Sequence, residues 1–241
     1  MSSGDSTISV NFGEPFPLFP LHTTMLMPHG VLPLRVFEPR YKQMVAHSLG
    51  TSAHPGTKQF AMATFRGEQW MHEYHGRPAI RPVVCLGQIT EHLKLEDGTY
   101  AVVMQGLCRA TVVEELPPDE DLMYRRAVLR PLDVDAPDEA ELETYRARIG
   151  EALQHDRLSD LRGASGIAEH FRNENIPTSV LLEVLGFQFL TNPETRYRLL
   201  ASDDPTERAE IVSRELMDMQ ALLRRAQAQR AVETPKGCHW N

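Results

Sequence analysis

Cysteine is scarce in this chain, and so is lysine. Three cysteines (Cys85, Cys108, Cys238) in 241 residues make an odd number with no C-x-x-C spacing, which points to reduced thiols in a reducing compartment and away from a disulfide framework. No apolar run approaches the roughly 18 residues that a membrane span requires. The opening MSSGDSTISVNFGE lacks a basic start and an apolar h-region, so no secretion signal is expected and the expected location is cytoplasmic. Basic residues are outnumbered 25 to 33, for a net charge of −8. That balance speaks against a general nucleic-acid binder, whose affinity comes largely from neutralising phosphates. No G-x-x-x-x-G-K-[ST] occurs, so no phosphate-cradling loop is expected and no cofactor is implied.

What is present is ordinary globular material, 41% hydrophobic and 24% charged, long enough for one or two domains with a true core. Its character changes near residue 132. Before that point short β-branched and apolar runs are punctuated by Gly and Pro, and the segments 58–65, 81–95, 99–106, 108–116 and 122–132 read as strands. Asp97-Gly98 between two of them is a hairpin signal, and Gly106 marks a second bend or bulge. Six prolines fall between Pro15 and Pro39. Pro15, Pro17, Pro20, Pro28 and Pro33 cannot donate ladder hydrogen bonds, so they belong at strand ends, edges and bulges of a sheet that bends on itself. Pro39 instead opens a helix, with Tyr41, Met44, Val45 and Leu49 on one face.

After residue 133 the period is helical. Asp135 is an expected cap for a helix striped with Leu142, Tyr145, Ile149 and Leu153, and Ser165 for one carrying Ile167, Ala168 and Phe171. Pro177-Thr178 opens a third. NPETR from Asn192 and DPTER from Asp204 are near-copies of one start signal, a capping side chain with Pro at the first helical position. Glu207 three residues after Asp204 makes the second a capping-box variant. The last helix carries Ile211, Val212, Leu216, Met219, Leu222 and Leu223 and is expected to end near Gln229. The resulting divisions are a tail over 1–13, a β-rich unit over 14–132, a helical bundle over 133–230 and a tail over 231–241.

Signals of chemistry are weak. In RGASGIAEH a nucleophile elbow would need Gly two residues after Ser165, and Ile167 stands there. His72 and His75 supply only part of a metal site, which needs three or four ligands; Cys85 or His92 would have to complete it in space. Cys85 and Cys108, on separate expected strands, read as small buried hydrophobes in preference to a regulatory disulfide. Arg125, Arg126 and Arg130 lie on a strand, with the adjacent pair on opposite faces. Arg224, Arg225 and Arg230 sit at a helix end that favours cations. Better candidates are partner-contact residues. Met25 and Met27 suit either the core or an adaptable apolar surface, and Trp70, His72, Tyr74 and His75 form an aromatic, polar loop of the kind enriched at protein contacts.

FPLFPLHTTMLMPHGVLPLRVFEPRYKQMV resembles the opening of the N-terminal domain of Lon proteases. That pattern here comprises Pro20, Pro28, Gly30, Pro33, Phe37, Glu38, Arg40 and Tyr41, with His29 inserted between Pro28 and Gly30. VCLGQITEHLKLEDGTYAVVMQGLCRATV is similar to the family's later strands, through Gly87, the Asp97-Gly98 hairpin, Gly106 and Arg109, and the likeness extends to about Leu223. The resemblance implies an α+β fold, a β-rich PUA-like pseudo-barrel followed by an α-helical bundle. It also implies a non-catalytic module that recognises unfolded or peptide-like protein segments, or a partner protein. The four lysines (Lys42, Lys58, Lys94, Lys236) match nothing in that family's Ser-Lys peptidase segment, so no catalytic residue is expected. PUA-like barrels also hold RNA, which makes RNA binding the alternative; a small-ligand or metal protein is the third. The oligomeric state is not legible.

Overall fold

The computed structural model describes residues 8–74, 76–133, 138–154 and 164–231, in two compact units that divide after Asp135. The first unit holds strands β1 (Phe16–Leu21), β2 (Val31–Val36), β3 (Gln59–Thr64), β4 (Val83–Lys94), β5 (Tyr100–Leu116) and β6 (Arg126–Pro131), with helices α1 (Pro39–Leu49) and α2 (Trp70–Glu73). The sheet order is β2-β5-β4-β3-β1-β6, and β6 pairs with β5 as well as β1. The ring β5-β4-β3-β1-β6 therefore closes on itself. Every pairing is antiparallel except β1 with β3.

Closure depends on β5. One of its edges carries β4 opposite Tyr100–Thr111. The other carries β2 opposite Tyr100–Gln105 and then β6 opposite Ala110–Leu116. The two strands expected at 99–106 and 108–116 are thus one strand. Gly106 does mark an irregularity, because Gly87 faces Gly106 while Leu86 faces Cys108, leaving Leu107 as the extra residue of a bulge. At that gap a turn crosses over β5: Gly106 N–H donates to Gly30 O and His29 N–H donates to Gly106 O. The turn is closed by Gly30 N–H to Met27 O at 2.9 Å, and His29 takes a positive φ of 62°, the conformation required at its third position after proline. A side chain at Gly106 would overlap the Met27 carbonyl. Only glycine lets the turn lie this close.

Both faces of the barrel wall are covered. The interior is packed by Phe16, Leu18, Ala61, Ala63, Val84, Leu86, Ala110, Ala127 and Leu129, from all five ring strands; its many alanines suit a narrow barrel. Val10 and Phe12, placed by the sequence in a tail, pack against this cluster, and Ser9 O accepts from Gln59 Nε2. On the outer face Phe19 meets Tyr41 of α1 and Phe60 of β3, with Met44 and Val45 fully buried. Met25 and Met27, at 4% and 0% exposure, fill the core.

Cys85 faces Arg109 and Cys108 faces Leu86, so the two thiols point to opposite sides of the wall and cannot pair in this register. Burial pushes the Cys108 thiol up to about 11. Arg109 is almost wholly buried and meets Asp133 at 3.0 Å, tying β5 to the chain leaving β6. The Asp97-Gly98 hairpin forms as expected, with φ of 74° at Gly98 and Asp97 Oδ1 accepting from Thr99 N–H and Oγ1.

The second unit contains α3 (Glu139–Gln154), α4 (Ala164–Arg172), α5 (Thr178–Phe189), α6 (Pro193–Ala201) and α7 (Pro205–Ala231). α3 packs on α4, α5 and α7, and Leu142, Ile149, Leu153, Ile167, Phe171, Leu182, Leu185 and Val212 are all buried. The expected cap Asp135 lies outside the described residues; Asp138 accepts from Ala140 N–H. α4 starts one residue before Ser165, which therefore falls inside the helix. Asn192 and Asp204 cap α6 and α7 as expected. Glu207, in place of closing a capping box, accepts from Ser202 Oγ at 2.6 Å. Along α7, Leu216 is buried but Leu222 is 64% exposed. Arg208 is sequestered with Glu183 at 3.2 Å.

Glu139 shows how the bundle is cross-tied. Its carboxylate accepts from Thr178 N–H, Ser179 N–H and Ser179 Oγ, capping α5 from another helix, since Pro177 at the cap position offers no side-chain acceptor. Burial pushes this carboxyl up, but the hydrogen bonds from Ser179 and Thr178 outweigh it and hold it below the ordinary 4.5.

Two predictions follow from these contacts. Gly106→Ala is expected to cost about 3 kcal/mol or more, because backbone must move, read as a lower urea midpoint. Glu139→Ala is expected to cost about 1 kcal/mol at pH 7. A depressed carboxyl stabilises above its unfolded pKa and loses that contribution as pH falls through the folded one, so the gap between parent and variant should narrow as the solution is acidified through and below the ordinary carboxylate range.

Candidate functional site

The β1–β6 ladder is short. Leu18 N–H donates to Arg125 O at 2.8 Å, and the paired residues are Phe16 with Ala127 and Pro17 with Arg126. Alternation aims the backbone of residue 20 the same way as that of residue 18, and residue 20 is proline, which has no N–H to donate. The ladder stops there and the wall opens. The opening is a cleft of about 430 Å³ lined by Leu18 and Pro20 of β1, Glu38, Pro39, Arg40 and Tyr41 at the start of α1, Gly76, and Pro118, Met123, Tyr124 and Arg125 before β6.

Residues 119–125, of which 122–125 are expected as strand, form instead a loop that walls this cleft. Asp119 Oδ1 accepts from the N–H groups of Asp121 and Leu122, an Asx turn that outcompetes extension. Gln43 of α1 clamps the loop from the other side, donating to Asp121 O and accepting from Met123 N–H. Tyr124 OH lies 3.1 Å from His47 Nδ1.

Glu38 stands at the N-cap of α1 yet makes no capping bond. Its carboxylate accepts from Tyr74 OH and from Arg40 Nε, and Arg40 lies over the rings of both Tyr41 and Tyr74. Burial, and the hydrogen bond to Glu38, push the Tyr74 hydroxyl above its ordinary pKa. Trp70 is held between His22 (4.3 Å between ring centroids) and Phe65 (5.8 Å), stacked on both. The Trp70–Glu73 segment is therefore a short helix, latched to the barrel with the following Tyr74 by aromatic packing, where the sequence suggested a loop.

The remaining sequence candidates are dispersed. Met71 and His72 face solvent, and His75 lies outside the described residues. Phe37 is 65% exposed directly before the cleft residue Glu38, and Met123 on its lining is 51% exposed. Pro33 sits in β2 opposite Val103. Among the described residues no group of three or more His, Cys, Asp or Glu is placed to hold a metal ion. Cys85 and His92 lie on one strand seven residues apart, roughly 23 Å, too far to share an ion. Arg125 was the residue the sequence undervalued. It is almost wholly buried, with Nη1 donating to Pro78 O and Glu115 Oε2, while Arg126 turns outward to Asp119. Burial first, then repulsion from Arg77 and Arg40, depress its pKa, partly offset by Glu115 and Tyr41. The cleft thus offers apolar walls and two cations that are each paired with a carboxylate, Arg40 with Glu38 and Arg125 with Glu115. No hydrolytic constellation accompanies them in its lining.

Removing only the Tyr74 hydroxyl should loosen the latch. Tyr74→Phe is expected to cost about 1–2 kcal/mol and to shift Trp70 emission to the red, measured in a Trp240→Phe background so that one indole reports.

The chain's likenesses agree with this architecture. The N-terminal domain of Mycobacterium avium complex Lon protease superposes with a TM-score of 0.64 at 16% identity, over 85% of this chain and 99% of that one. A Lon N-terminal domain protein from Xanthomonas campestris gives 0.53 at 20% identity, over 82% and 95%. No curated protein matches, and among the described residues no helix is long and apolar enough to cross a membrane. The family model described as the ATP-dependent protease La (LON) substrate-binding domain matches residues 15–218, and the chain belongs to that family.

Proposed function

We propose that this chain is a non-catalytic, cytoplasmic module that holds unfolded or peptide-like segments of other proteins, and that the cleft between β1 and the 118–125 loop is where it holds them. Membership of a substrate-binding family supports the class of ligand. The cleft itself carries the assignment of place. Leu18, Tyr41 and Tyr124 of its lining are buried, and Met123 of the same lining is exposed. An exposed methionine among buried aromatic residues suits varied apolar side chains, because methionine adapts its shape at little cost. Pro20 withholds the backbone donor that strand addition would use, so recognition falls to side chains and tolerates sequence variety.

The test is fluorescence anisotropy with a reduced, carboxymethylated model protein and its native counterpart. The unfolded form should bind and the native form should not. Met123→Asp, at an exposed position that leaves the fold alone, should weaken binding about tenfold or more. Binding that ignores Met123→Asp would move the site elsewhere, and no binding of the unfolded form would end the proposal.

A further inference from the structure

α7 runs on past the partners that bury it. Arg148 donates to Ser213 Oγ at 2.7 Å and Gln220 to the Ala152 carbonyl at 3.4 Å, so α3 lies parallel to α7 and its last residue, Gln154, falls near the level of Leu222. α7 continues to Ala231, roughly 14 Å further. Burial stops before that point. Ala209, Ile211, Val212 and Leu216 are buried, whereas no residue from Met217 to Ala226 is. The apolar pattern does not stop with it. Met219, Leu222 and Ala226 recur at three- and four-residue spacing with Leu223 beside them, the seam pattern of a helix that pairs with another helix. Leu222 is 64% exposed, where a helix end that met only water would carry polar residues.

Charge along α7 decides what kind of partner fits. The part over 205–218 holds four carboxylates and two arginines, and one of those, Arg208, is sequestered with Glu183. The part over 219–231 holds three arginines and no carboxylate. Asp218 and Arg225, both exposed, stand seven residues apart on one flank of the stripe. A second α7 laid antiparallel brings Leu222 of one copy onto Met219 of the other, and in that register Asp218 of each copy meets Arg225 of the other. A parallel pairing instead sets Asp218 near Asp218 and Arg225 near Arg225, like charges at both ends. The helix is thus complementary to itself in one direction only, as a two-fold contact requires.

We propose that a second copy of this chain covers the stripe, the two α7 helices packing antiparallel through Met219, Leu222, Leu223 and Ala226 with Asp218–Arg225 pairs on the flank. The seam spans about two turns of each helix, small beside a standard protein interface, so the dimer is a reversible one. This inference is independent of the cleft in the first unit and of what that cleft holds.

The experiment is sedimentation velocity on the full chain over a wide concentration range at low salt, where the population should shift from monomer to dimer as concentration rises. Leu222→Glu, at an exposed position, should leave the circular dichroism and the urea midpoint unchanged and weaken the dimer about tenfold or more. Asp218→Arg and Arg225→Glu should each weaken it about fivefold. The double variant, which rebuilds both pairs with their charges exchanged, should recover the parent affinity. A full chain that stays monomeric overturns the inference; if the chain cut after Ala231 then dimerises, its own 232–241 segment is the occupant of the stripe. A dimer that ignores Leu222→Glu overturns it as well, since the seam then lies elsewhere. Single charge swaps without effect, or a double variant that fails to recover, overturn the antiparallel register and the proposal with it.

Discussion

The first unit depends on one edge of one strand. β5 must give half of that edge to β2 and half to β6, and between them it must admit the turn that carries Met27 to Gly30. Gly106 makes this possible, because its N–H and C=O serve Gly30 and His29 and its missing side chain leaves room for the Met27 carbonyl. If β5 could not divide its edge, β6 would have no second partner and the ring would be an open sheet. The buried ion pair of Arg109 with Asp133 secures the same junction from the exit of β6. Such a pair contributes less to net stability than its geometry implies, since desolvation offsets the attraction, but losing one member is costly.

The cleft is a consequence of that closure. β6 must reach both β1 and β5, so it can follow β1 for only a few residues before departing. Pro20 then removes the donor that could have prolonged the ladder, and α1 fills the opening with its first turn. Glu38 is placed where a cap would normally act, yet it turns to Tyr74 and Arg40. Local helix capping is given up for a tertiary tie that fixes the wall of the cleft. The 119–125 loop is fixed in the same manner by Gln43, so both walls are anchored through α1. Under the proposed function, a frame tied in this way leaves little ordering cost on the protein's side when a segment is held there.

The sequence announced what local chemistry controls. Asn192 and Asp204 cap as their side chains dictate, Asp97-Gly98 turns, and the apolar stripes of α3 and α4 face inward. It misled wherever a distant partner decides. Residues 99–106 and 108–116 read as two strands because Gly106 resembles a break, whereas the bulge is stabilised by a turn from a remote part of the chain. Residues 122–125 are β-prone, yet an Asx turn at Asp119 and the side chain of Gln43 override that propensity. Alternation put Arg125 and Arg126 on opposite faces of one strand, whereas only Arg126 belongs to β6 and Arg125 stands in the loop just before it. Which face looks into a cleft depends on where β1 loses its partner, and that is a property of the closed ring.

The central claim is that polypeptide enters between β1 and the 118–125 loop. A photo-reactive benzoylphenylalanine at position 123 tests it directly, with the same group at Leu93, an apolar residue on β4 at least as exposed as Met123, as the control. Irradiation with an unfolded polypeptide should give abundant cross-links from position 123 and few from position 93. Equal yields, or the reverse order, would contradict the account.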